Sequence, residues 1–99
     1  MTYTVHKLSI DNGKTSLVSE GYQGSFHQME RLTYPEGELQ RNIINSLEDL
    51  KEGDRAYFTS INGNYLVTST ITSVSPISEP NVVVFKTQTS TYKVEKTND

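Results

Sequence analysis

The sequence predicts an α+β domain, mostly antiparallel β. The expected architecture is a small curved sheet or partly open barrel, SH3-like or similar, with one packed amphipathic helix. Three observations lead there. Asn12-Gly13 and Asn62-Gly63 are hairpin signals, because a type I′ turn needs positive φ at both central residues. Eleven Ser and twelve Thr occupy 23 of the 99 positions, beside six Tyr, a composition suited to a solvated sheet surface. Leu39, Ile43, Leu47 and Leu50 recur at i, i+4, i+8 and i+11, one face of a 3.6-residue helix.

The elements follow in order within a single domain, residues 1–99. An N-terminal hairpin spans 3–22. A two-residue turn at Asn12-Gly13 sets Leu8 opposite Leu17 and gathers Leu8, Ile10 and Leu17 on one buried face, with His6 alongside. Residues 23–34 read two ways. Phe26, Met29 and Leu32 at three-residue spacing fit a short helix with Ser25 and Gln28 as a capping box, or an irregular strand. The main helix covers about residues 37–51. Glu36 and Glu38 stand at its positive end, and Gly53 is its left-handed stop.

A β-meander covers residues 55–95. Ala56 and Phe58 alternate with Arg55, Tyr57 and Thr59. A two-residue turn at Asn62-Gly63 pairs Phe58 with Val67. The inner face then extends to Ile71, and Tyr57, Thr59, Leu66, Thr68 and Thr70 face outward. Val74 has changed parity relative to Ile71, so a bulge is expected near Ser73. Residues 75–81, with Pro76 and Pro80, form a loop. A strand follows from Val82 to Lys86, then a turn over 87–90. Tyr92 and Val94 point inward beyond it, and the tail from Lys96 frays. The expected core is Leu8, Leu17, Leu39, Ile43, Leu47, Leu50, Phe58, Val67, Ile71, Val84, Tyr92 and Val94.

Composition narrows the function classes. Net charge is only -3 and charged residues make up 21%. That gives no global electrostatic argument for nucleic acid. Residues 30–54 hold seven acids and three bases, read as a solvated helix face. The longest apolar run is Val82-Val83-Val84-Phe85, far short of the roughly 18–20 residues of a spanning helix, so no membrane partner is expected. The N-terminus starts with Met and lacks a basic and an apolar signal region, so the expectation is a cytoplasmic product. With no cysteine, thiolate metal sites, disulfides and Cys nucleophiles are excluded.

No catalytic motif emerges. His6 and His27 are 21 residues apart and lack an i, i+4 partner, so no metal site is expected. No Gly-x-Ser-x-Gly elbow and no phosphate-binding glycine loop occurs. Glu36/Glu38 and Glu48/Asp49 would lie exposed, where nothing perturbs them. The expectation is a non-catalytic accessory protein with no cofactor, binding another protein through Arg55, Tyr57, Leu66 and Lys93 on the outer face of the meander. Two alternatives stand beside it. One is single-stranded nucleic acid bound by the 55–95 sheet, with rings stacking on bases and cations on phosphates. The other is a small enzyme with a pocket at the barrel end, where His27 would meet carboxylates.

Overall fold

Alternation of buried and exposed residues carries most of the chain into strands. The structure is a computed structural model that describes residues 1–10, 17–75, 79 and 81–97. Nine strands form among them: β1 (Thr2–Ile10), β2 (Leu17–Phe26), β3 (Gln28–Thr33), β4 (Gln40–Ile44), β5 (Arg55–Thr59), β6 (Tyr65–Val67), β7 (Ile71–Val74), β8 (Val82–Thr87) and β9 (Thr91–Thr97). They make two open sheets, one in the order β2-β1-β9-β8-β7, the other β4-β3-β5-β6. Every pairing is antiparallel. One shared cluster forms the core. The first sheet contributes Tyr3, Val5, Val83, Phe85, Tyr92 and Val94, and the second Met29, Ile44, Ala56 and Phe58. Phe26 packs on Phe58 with ring centroids 5.7 Å apart.

The amphipathic helix does not form, and neither does the single curved sheet or barrel it was to plug. In its place the chain forms a three-residue 3-10 turn, Pro35–Gly37, then β4, then a second such turn, Leu47–Asp49. Glu36 and Gly37 adopt left-handed conformations, with φ of 54° and 82°. They turn the chain back, so that β4 runs along β3 in unbroken register from Thr33↔Gln40 to Met29↔Ile44. The apparent helical stripe joins residues of separate elements. Leu39 and Ile43 are exposed, whereas Leu47 and Leu50 are buried at the i, i+3 spacing that a 3-10 turn places on one side. Tertiary pairing has overridden helix propensity, because β3 lies between two strands and β4 supplies one of its two ladders. Gly53 does have positive φ, but in the turn entering β5, where its N–H donates to the Ile71 carbonyl at 2.9 Å.

The N-terminal hairpin is shifted. Ile10 pairs with Leu17 and Leu8 with Ser19, two residues from the expected Leu8–Leu17 pairing. The Asn12-Gly13 turn lies outside the described residues, as does the Leu17 side chain. Tyr3 and Val5 face the core instead of Leu8, which is only half-buried. The large Tyr3 ring, set opposite Phe26, gives that face more apolar area to bury. Residues 23–34 form strands that meet at a bend at His27.

The C-terminal half follows the expected alternation more closely. Ala56, Phe58, Ile71, Tyr92 and Val94 are buried, and the ladder between β7 and β8 shifts between Ile71 and Ser73. Val83 and Phe85 point inward, so Val84 does not. β9 continues through Lys96 to Thr97.

One turn differs with large effect. The Ser60 N–H donates to the Asn64 carbonyl and the Gly63 N–H to the Ser60 carbonyl, closing a three-residue loop with Gly63 alone at positive φ, 91°. Such a loop is a type I turn followed by a left-handed residue. Phe58 therefore faces Leu66, and Tyr57 faces Val67. The added residue reverses the two faces of β6. Thr68, expected outside, is buried, with its Oγ1 accepting from the Ala56 N–H at 3.1 Å.

Candidate functional site

The outer face of the second sheet is built from side chains that alternate away from the core on four strands. Tyr57 on β5 is flanked by Glu30 on β3 and Val67 on β6. Glu30 in turn stands opposite Ile43 on β4. The short β6 sets Tyr65 diagonally across from Tyr57, and the two rings stack with centroids 6.1 Å apart and planes 8° from parallel. On the other side, Arg41 lies over the Tyr57 ring, its guanidinium carbon 5.0 Å from the centroid. This is within cation–π reach.

Arg41 is held there by Glu30. Its Nε donates to Oε1 at 3.0 Å and its Nη2 to Oε2 at 2.8 Å, the paired geometry that suits a planar guanidinium to a carboxylate. Glu30 is buried. The hydrogen bonds from Arg41 to Glu30, and then the carboxylate charge, raise the pKa of the guanidinium above its usual value. The result is a pre-arranged row of carboxylate, guanidinium and two stacked phenols. Tyr65 is 66% exposed at one end, and Ile43 is 61% exposed beside the other.

A cleft of about 440 Å³ adjoins Tyr65, bounded by Gln23, Gly24, Ser25 and Phe26 of β2 and by Gly63 and Asn64 of the loop before β6. Among the described residues, its lining carries no carboxylate and no imidazole. His27, which the enzyme alternative set among carboxylates, instead accepts the Ile61 N–H at its Nδ1, 3.4 Å away. Among the described residues, no group of three His, Asp or Glu gathers in metal-binding geometry, and no helix is long and apolar enough to cross a membrane.

The four residues singled out from the sequence do not share one surface. Arg55 and Tyr57 lie on the same face of β5, but the Arg55 Nε is spent on the Thr68 carbonyl at 2.8 Å. Leu66, opposite Phe58, packs against the core. Lys93 sits on the first sheet between His6 and Val84, paired with Glu95 at 3.2 Å. Sequence reasoning missed Tyr65, whose place was available from a three-residue loop ending at Gly63. It also missed Arg41 and Glu30, for which a segment read as helix offered no signal.

No family model, curated protein or solved structure matches the chain.

Proposed function

We propose that the chain is a non-catalytic protein-binding module that engages its partner through the outer face of the second sheet, centred on Tyr57 and Tyr65. The observation that carries this reading is the stacked pair with its outer ring left to solvent. A large apolar ring fixed by a neighbour loses little side-chain freedom on binding. Tyr and Arg are also the residue types that most often dominate binding energy.

Single-stranded nucleic acid is the weaker reading. Stacking would need a free ring face and unpaired cations nearby. Arg41 and Arg55 already have partners here, and Lys93 is on the other sheet.

The test is affinity purification from the native host with wild type, Tyr65→Ala and Lys93→Ala, read by mass spectrometry. A partner captured by wild type and Lys93→Ala but lost with Tyr65→Ala is expected. Once it is identified, calorimetry should show Tyr65→Ala weakening binding by roughly 1–4 kcal/mol. Equal capture by all three proteins would refute the assignment. So would salt-sensitive binding of oligonucleotides that depends on Tyr65.

A further inference from the structure

Two open sheets leave four edges, and an open edge invites a further strand unless it is blunted. Three of the four are blunted. β2 loses its register with β1 between His6 and Leu8, β7 is four residues long with a shift between Ile71 and Ser73, and β6 has only three residues. β4 is different. Its ladder to β3 is unbroken over five residue pairs, and among the described residues no strand lies on its other side. Gln40, Arg41, Asn42 and Ile43 are all exposed. It carries neither Lys nor Pro, the usual guards of an edge. Its one charge, Arg41, is drawn back over Glu30 and the Tyr57 ring rather than standing at the edge.

From this edge we infer that the protein self-associates, with β4 pairing antiparallel with β4 of a second copy about a two-fold axis at Arg41. The pairing is self-complementary. With Arg41 on the axis, Ile43 of each chain lies opposite Leu39 of the other. Leu39 and Ile43 are 56% and 61% exposed, among the largest exposures of apolar side chains in the described residues. Cross-strand apolar pairs of this kind stabilise a ladder. Two arginines meeting at the axis would repel, but each is already matched by its own Glu30 carboxylate at 2.8 Å. The dimer would join two four-stranded sheets into one of eight. It would bury only the β4 edges, leaving Tyr65 at the far edge of each sheet, because β4 and β6 are opposite ends of the strand order.

Sedimentation of the full chain from roughly micromolar to millimolar concentration should show a species of twice the 11.2 kDa chain mass. Ile43→Lys should remain monomeric with an unchanged circular dichroism spectrum. The chain has no cysteine, so single-cysteine variants report the register. An oxidised mixture of Leu39→Cys and Ile43→Cys should form a covalent dimer, whereas each variant alone should not. A monomer at every concentration would overturn the inference. So would a dimer indifferent to Ile43→Lys, or disulfides forming as readily in one variant alone as in the mixture. Tyr65 is untouched in these variants, so this result and partner capture fail independently.

Discussion

β4 and β5 flank the same strand, β3, and each is five residues long, yet their burial differs. β5 alternates, with Ala56 and Phe58 buried between half-buried neighbours, while β4 exposes four residues before Ile44 turns inward. The cause is position. β5 has a strand on either side and packs against the opposite sheet, as the tilted contact of Tyr3 with Phe58 at 6.5 Å shows. Among the described residues, β4 has one neighbouring strand and meets the core only at its last residue. A central strand is selected on both faces, so its sequence alternates. An edge strand is selected less tightly, and its apolar residues need not mark burial at all.

The packing of β5 against the opposite sheet depends most on Phe58. Phe58→Ala removes a fully buried ring and should cost about 3–5 kcal/mol in chemical denaturation. A loss below 1 kcal/mol would mean that the two sheets do not share this core. Gly63→Ala comes next. With φ at 91°, the new side chain would be forced into the left-handed region, costing about 1–2 kcal/mol. No atom crowds the position, so the cost should come from backbone conformation alone. An unaffected variant would mean that Gly63 does not hold the left-handed conformation on which this loop depends.

Tyr3 reaches the inner end of β4, where its hydroxyl donates to the Ile44 carbonyl at a long 3.5 Å. Burial pushes the Tyr3 phenol pKa above its ordinary value of 10.0. A raised pKa means that the folded state favours the protonated phenol. Its contribution is therefore complete below pH 10 and is lost as pH rises from there through the folded value. Wild type should lose more stability than Tyr3→Phe above pH 10, with parallel curves below it. Parallel curves throughout would place the Tyr3 ring in water. The smallest effect is expected at Ile43→Ala, within about 0.5 kcal/mol in the monomer. A loss matching Phe58→Ala would mean that the Ile43 side chain is covered.

These positions also show what was legible beforehand. Ala56, Phe58, Tyr92 and Val94 could be placed because period-two alternation on interior strands records the core directly. The shift at Ser73 was readable as a break in that parity. Leu39, Ile43, Leu47 and Leu50 misled because spacing alone cannot show that four residues are spread over a strand, a turn and the segments beside them. Of the candidate surface, Tyr57 was legible by parity from Phe58. Leu66 was not, because Asn62-Gly63 suits both a two-residue and a three-residue loop, and the choice decides which of Leu66 and Tyr65 faces out. Lys93 was assigned on the assumption that the last strand closes onto the same sheet as β5. The sequence carries no mark of which sheet a strand joins.

The pairing of β1 with β9 has a consequence for how the molecule assembles. The first and last strands lie side by side within the five-stranded sheet, from Thr2↔Thr97 to Leu8↔Thr91. Contacts this distant in sequence are entropically costly to close and slow the folding of β proteins to the range of milliseconds to seconds. On a growing chain, β3, β4, β5 and β6 can pair among themselves as soon as they emerge, since their partners lie within about 35 residues. β1 must wait for β9. Until Val94 can reach Val5, the N-terminal strand has β2 on one side and a bare edge on the other. The nascent chain is thus most open to mispairing along β1 until β9 is made.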